Sequence, residues 1–273
     1  IPTIEKAGGR VLCKATVTEI LYDTTAKKVT GVRLQNGDEI FAPLIISDVG
    51  ATNTFLKLVS KEVIDEHHLN LSQLESLRAS NGHMTAFISL DAPSETFGLR
   101  PANIHSFLDL PNFNFDISEM QRALYRDPAA YKEKCLITLT SPSAKDPEYA
   151  KMFPNSSNVL LLAEGKYEWF AAMGPQLHGS RTDDYLKFKK DWENVFLERL
   201  YRYFPKTRGH VRKIEIGTPL TTEHFLAADQ GGSYGLEWTR DRFKLETLRD
   251  FFHPVTAVDG LYLTGEASLF GGF

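Results

Sequence analysis

Gly231-Gly232-Ser233-Tyr234-Gly235 has the G-x-S-x-G spacing that exposes a serine nucleophile on a sharp strand-to-helix elbow. Asp241, Asp250 and His253 follow it, so serine, acid and histidine come in the order a hydrolase triad of that type takes. The setting opposes this chemistry. An elbow needs a buried strand before its serine, and "HFLAADQ" is a poor strand; a triad needs its acid and base on loops after later strands, and only one strand pattern follows. The glycines read better as backbone that passes close to another surface. A second group lies at 260–266, "GLYLTGE", an apolar run ending on Gly265 and the carboxylate of Glu266, with Gly271-Gly272 beyond. Such a strand brings bare backbone and an acid to the carboxyl edge of an α/β sheet, where cofactors bind. Glu266 can accept hydrogen bonds from ligand hydroxyls. Taken alone the pattern reaches a nucleotide-cofactor site and no further, because a Gly-rich strand end also serves as a plain turn.

The elements that must position these residues begin with "RVLCKATVTEILYD", where Val11, Cys13, Ala15 and Val17 alternate as in a strand with one buried face. In "KVTGVRLQNGDEIFAPLII" two β-rich runs flank Asn36-Gly37, a pair suited to a hairpin whose turn residues both take positive φ. Leu44-Ile45-Ile46 continues the second run as a short strand expected to be buried on both faces. It leaves through "SDVGATNTF", where Gly50 permits a sharp exit and Thr52 or Asn53 could cap a helix. The middle strings "HMTAFISL", "NIHSFLDL", "CLITLTSP", "NVLLLAE" and "VRKIEIGT" read as strands. After Thr182, the residues Tyr185, Phe188, Trp192, Val195, Phe196, Leu200 and Tyr203 recur at helical steps until Pro205. That aromatic stripe is expected to pack on a sheet. The section reads as an α+β domain inserted between the opening strands and the closing one.

Composition bounds the rest. At 273 residues the chain is long enough for one large or two smaller domains, and 42% hydrophobic with 24% charged residues is ordinary for a globular protein. A net charge of -4 gives no electrostatic reason to expect nucleic acid. Cys13 and Cys135 lie far apart, and no Cys-x-x-Cys or His-x-x-x-His spacing occurs, so neither a metal site nor a disulfide framework is indicated. No apolar run approaches the roughly 18 residues that would span a bilayer.

Five longer strings carry a resemblance. "IPTIEKAGGRVLCKATVTEIL" is similar to the strand after the Rossmann unit in the FAD-dependent family that includes phytoene desaturases and carotenoid isomerases. "TPLTTEHFLAADQGGSYGLEWTRDRF" followed by "GLYLTGEASLFGG" resembles that family's closing segment. "SPSAKDPEYAKMFPNSSNVLLLAEGKYEWF" and "RTDDYLKFKKDWENVF" narrow the resemblance to the branch that saturates a polyene double bond. It implies a mixed α/β and α+β fold: an FAD/NAD(P)-binding fold with an inserted substrate domain. The family opens with a G-x-G-x-x-G loop whose helix N-terminus holds the FAD pyrophosphate, and no G-x-G occurs here. The expectation is therefore the C-terminal part of a two-domain flavoprotein, without the Rossmann unit and unable to retain FAD by itself. Residues 1–51 would complete the FAD-binding domain, 52–230 would form the substrate domain, and 231–273 would return to the first domain.

Residue by residue, the resemblance places Val17 where a strand backbone meets the adenine, and Gly50 at the small-residue turn leaving the FAD domain. It sets Gly265 and Glu266 beside the ribityl and phosphate region. The branch carries Gly-Gln-Asp there and this chain Gly-Glu-Ala; the arginine-proline pair of many desaturases is replaced by "LRDFFHP". The implied activity is hydride transfer from FAD to one double bond of a retinoid or carotenoid-like substrate, foremost the 13,14 bond of all-trans-retinol, with NAD(P)H as a reductant. No catalytic residue is assigned; Tyr234 is the first candidate proton donor. A carotenoid isomerase or desaturase, or an apolar-ligand carrier without redox chemistry, are the rival readings. The family resides on the endoplasmic reticulum membrane.

Overall fold

The structure, a computed structural model, describes residues 1–107, 114, 116–126, 128–171, 173, 179–265 and 268. The chain forms two compact units: residues 1–80 with 234–273, and residues 81–233.

In the first unit, β1 (Val17–Asp23), β2 (Lys28–Leu34) and β3 (Glu39–Phe41) form an antiparallel meander. The expected alternation from Val11 does not become strand. Val17 faces Leu34, the last residue of β2, and one more bond, from the Gln35 N–H to the Thr16 carbonyl at 2.8 Å, extends the ladder past it; Val11 and Leu12, further out, are exposed. The β2–β3 hairpin turns at Asn36-Gly37 with one correction: only Gly37 takes positive φ, at +91°. Asn36 instead accepts from the Asp38 N–H through its side chain, at 3.1 Å.

β4 (Ile45–Ser47) and β10 (Leu261–Leu263) pair in parallel. The expectation that β4 is buried on both faces is not met, since Ile46 is 62% exposed. Ile45 and Ser47 alternate onto the face toward the core, while Ile46 points to the opposite face, which is left uncovered among the described residues. The core of this unit gathers Ile20, Val29, Phe55, Leu74, Phe251 and Leu261, with Phe55 and Phe251 edge to face at 5.3 Å between ring centroids. Residues 52–80, which the sequence pattern assigns to the inserted domain, belong to this unit. Phe55, Val63, Ile64, Leu74 and Leu77 bury their side chains in its core, which moves the first boundary from 51 to 80.

The second unit is built on an antiparallel sheet in the order β6 (Ile104–Ser106), β7 (Ile137–Thr140), β8 (Ser157–Gly165), β5 (Gly82–Leu90) and β9 (Val211–Gly217). Each expected middle string supplies one of these strands. Met84, Ala86, Ile88 and Leu90 of β5 alternate onto the face that holds the core, as do Val159, Leu161 and Ala163 of β8. The helix Asp183–Tyr203 lays Tyr185, Trp192, Phe196 and Leu200 into that core. Thr182 caps it by accepting from the Tyr185 N–H at 3.3 Å, and Pro205 follows its end. One stripe position was not foreseen. Arg199 is buried, and its guanidinium donates to the Ser106, Glu133 and Cys135 carbonyls.

Candidate cofactor site

The parallel pairing of β4 and β10 brings two chain segments to the same edge. Leu261, Tyr262 and Leu263 face Ile45, Ile46 and Ser47, and the ladder extends by one bond, from the Thr264 N–H to the Ser47 carbonyl at 3.0 Å. Asp48-Val49-Gly50 and Thr264-Gly265 therefore leave the sheet side by side at its carboxyl edge. In open α/β sheets that edge is where cofactors sit, because strand ends present backbone groups no neighbour has used.

Gly50 has φ +81° and turns the chain from β4 into the helix Gly50–Asn53, which continues as a π-helical turn, Thr54–Leu58. Buried hydroxyls fix this exit: Ser47 Oγ meets Thr54 Oγ1 at 2.7 Å, and Thr54 Oγ1 lies 2.8 Å from the Gly50 carbonyl. Asn53 Nδ2 donates to the Val49 carbonyl at 2.9 Å. On the other strand Gly265 also has φ +81°, and a Cβ there would fall 1.7 Å from Asp48 Oδ1. The Asp48 carboxylate thus lies against bare Gly265 backbone, and no side chain fits between them. Ser268 closes the turn, its N–H and Oγ donating to the Gly265 carbonyl at 3.1 and 2.7 Å.

Beneath this turn lies a fully buried cation. Arg242 donates to the Leu236 carbonyl at 2.5 Å and the Ser268 carbonyl at 3.2 Å, and its guanidinium carbon sits 4.7 Å from the Phe252 ring centroid. Among the described residues its Nε–H has no acceptor and no carboxylate pairs with it, and burial pulls its pKa below the usual arginine value. The guanidinium ties the turn after β10 to the segment before Trp238.

Of the residues the sequence singled out for a cofactor, Gly50 and Gly265 come together at this edge. Val17 opens β1 in the three-stranded sheet, paired with Leu34, and stands outside the β4/β10 pair. Glu266 lies outside the described residues, as do Gly271 and Gly272. Asp48 was not singled out, although "SDVG" places an acid two residues before the expected turn glycine. An exposed carboxylate against a side-chain-free backbone suits a ligand rich in hydroxyls, which donate to the acid. That acceptor, held at the strand edge against Gly265, fits the ribityl or ribose part of FAD.

The hydrolase reading finds no triad. Ser233 follows the 3₁₀ turn Asp229–Gly231 rather than a strand, and its N–H donates to the Asn81 carbonyl. Asp241 pairs with Lys244 at 2.7 Å and Asp250 with Arg249 at 2.6 Å, while His253 Nδ1 stays on the backbone of Val255. Tyr234, the candidate proton donor, is 47% exposed, and its N–H donates to Ser80 Oγ at 2.9 Å. Among the described residues no group of three or more His, Cys, Asp or Glu is placed to hold a metal, and no helix is long and apolar enough to cross a membrane.

No protein-family model matches the chain. It is 34% identical to the all-trans-retinol 13,14-reductase of Danio rerio over 100% of this chain and 44% of the relative. An inactive all-trans-retinol 13,14-reductase of Danio rerio is 26% identical over 100% of this chain and 44% of its own. Prolycopene isomerase 2, chloroplastic, of an Oncidium hybrid cultivar is 28% identical over 95% of this chain and 39% of its own. The chain thus spans less than half the length of these relatives. Among solved structures, an oxidoreductase from Methanosarcina mazei superposes with a TM-score of 0.53 at 16% identity, covering 98% of this chain and 47% of its own, a likeness of fold.

Proposed function

We propose that this chain, similar over its whole length to an all-trans-retinol 13,14-reductase, is part of an FAD-dependent oxidoreductase that saturates one carbon–carbon double bond of an apolar polyene. Its foremost substrate in this reading is all-trans-retinol, at the 13,14 bond, with NAD(P)H as the source of reducing equivalents. One observation carries the proposal: the carboxyl edge of β4 and β10, where the missing side chain of Gly265 lets the exposed Asp48 carboxylate sit against the end of β10. FAD, when bound, supplies the hydride. Asp48 would accept from its hydroxyls, Gly265 makes room for the Asp48 carboxylate at the strand edge, and Gly50 turns the chain out of β4.

The same reading gives the protein a Rossmann unit that binds the pyrophosphate and continues the sheet beyond β4. Support comes from the apolar surface around β4. Ile46 of β4 is 62% exposed, Val49 just past it 47% and Phe41 at the end of β3 71%, and the second edge of β4 is unpaired among the described residues. Unpaired apolar strand edges promote aggregation, and globular proteins cover them. A further parallel strand would cover this one.

Product mass tests the proposal. The full-length protein, loaded with FAD and given all-trans-retinol and reductant, should yield a product two hydrogens heavier. An isomer of unchanged mass would favour the isomerase reading suggested by the prolycopene isomerase relatives. Retinoid binding without turnover would favour a carrier, or an inactive form of the kind found among the relatives.

A further inference from the structure

The core of the second unit uses one face of its sheet, and the other face has a pattern of its own. Period-two alternation puts Leu160, Leu162 and Glu164 of β8 on that second face, with Thr85 and Phe87 of β5 beside them. The register makes rows of them. Phe87 lies opposite Leu160, Thr85 opposite Leu162, and His83 opposite Glu164. Phe87 is 50% exposed, and Leu160 and Leu162 are half-buried without joining the core. At about 3.4 Å per residue, the run from Leu160 to Glu164 is roughly 14 Å long, apolar at one end and acidic at the other.

Glu164 is held rather than free. Tyr125 Oη donates to one carboxylate oxygen and Asn81 Nδ2 to the other, while the Glu164 carbonyl accepts from Tyr131 Oη at 3.0 Å. Lys166 Nζ lies 3.7 Å from the Tyr125 ring centroid, which places a positive charge nearby without an ion pair to the acid. A carboxylate has about four lone-pair positions, and two donors leave about two open. Burial raises the acid's pKa, while Lys166 and Asn81 draw it down. The group is thus a fixed acceptor at the end of an apolar strip, with capacity for one more donor.

Building on the polyene-reductase reading above, we infer that this sheet face seats the substrate, with the polyene along Phe87, Leu160 and Leu162 and its terminal hydroxyl donating to Glu164. Both features point to one ligand chemistry, a long apolar chain with a hydrogen-bond donor at its tip. A site built to receive a hydroxyl disfavours the analogue that lacks it, because the acceptor then loses water without gaining a partner.

The test is a fluorescence titration of the full-length protein with all-trans-retinol and with the matching hydrocarbon, in which a methyl group replaces the hydroxymethyl. Wild type should prefer the alcohol, and Glu164→Met should reduce that preference by roughly tenfold, entirely through weaker alcohol binding. Glu164→Gln, which keeps a carbonyl acceptor, should restore part of it. Phe87→Ser, at an exposed position, should weaken both ligands alike. A Glu164→Met variant that weakens both ligands equally, or neither, would overturn the inference while leaving the proposed reaction intact. Wild type that binds neither retinoid would overturn both readings. A retinol-binding protein that reduces nothing, yet shows this variant pattern, would remove the reaction and keep the site.

Discussion

Gly265→Ala puts the β4/β10 edge to a quantitative test. Two separate costs arise. The first is conformational: φ of +81° lies in the left-handed region, where an L side chain costs about 1–2 kcal/mol. The second is steric, because the new Cβ would lie 1.7 Å from Asp48 Oδ1 and 2.9 Å from its Cγ. Asp48 is a side chain and can rotate, so relief amounts to an off-rotamer displacement of about 0.5–1.5 kcal/mol rather than a full clash. The hairpin glycine Gly37 supplies the control. Its φ is +91°, and nothing lies within 4 Å of where its Cβ would stand, so Gly37→Ala carries the first cost alone. Urea unfolding should therefore show Gly265→Ala losing more stability than Gly37→Ala by about 0.5–1.5 kcal/mol. Adding Asp48→Ala to Gly265→Ala should cancel that excess in a double-mutant cycle. Under the proposed FAD reading, Gly265→Ala should also weaken FAD retention in the full-length protein. Equal losses for the two alanine variants, with no coupling to Asp48, would refute the contact and the site derived from it.

Arg242→Met should lower stability by about 1–3 kcal/mol in urea, since two carbonyls lose a charged donor, and Arg242→Lys should recover part of this; a methionine variant as stable as wild type would mean that burying the charge costs as much as its bonds return. Burial raises the Cys135 thiol to about 12, so iodoacetamide at pH 8 should modify exposed Cys13 and spare Cys135 until denaturant is added, as peptide mass spectrometry would show. Burial lowers the His83 pKa, so the folded state prefers the neutral ring. That contribution is present above the unfolded value near 6.5 and is lost as pH falls from there through the depressed folded value, so unfolding free energies should drop across this window in wild type and less in His83→Gln.

Periodicity carried most of the fold. The five strands of the second unit and the helix Asp183–Tyr203 follow from alternation and from three- and four-residue spacing, signals that a single segment contains in full. The departures all depend on a partner. β1 starts at Val17 because β2 ends opposite it, although Val11 to Ala15 alternate equally well. Ile46 is exposed because its face of the β4/β10 pair is uncovered among the described residues, although its sequence suits a strand buried on both faces. In "NVLLLAE" an uninterrupted apolar run concealed an alternation, since Leu160 and Leu162 lie on the face away from the core, and Glu164 went unnoticed with them.

The candidate site shows the same division between local and long-range information. Gly50 and Gly265 were legible because positive φ is a property of one residue, which glycine meets at little cost. Asp48 was not, because its significance comes from a glycine more than two hundred positions later, placed against it by parallel pairing. Arg242 was passed over because arginine is presumed to face water, whereas here its fork supports the turn that contains Ser268. The sequence-based reading placed the acid after β10, at Glu266, and the described structure shows an acid after β4, across the same edge. Which strand carries the carboxylate matters less than the fact that parallel strands deliver both ends to one place. An acid after either strand can then receive the same ligand hydroxyl, provided the opposite strand ends on a glycine. In the FAD-binding reading proposed above, that condition makes Asp48 and Gly265 act as one pair.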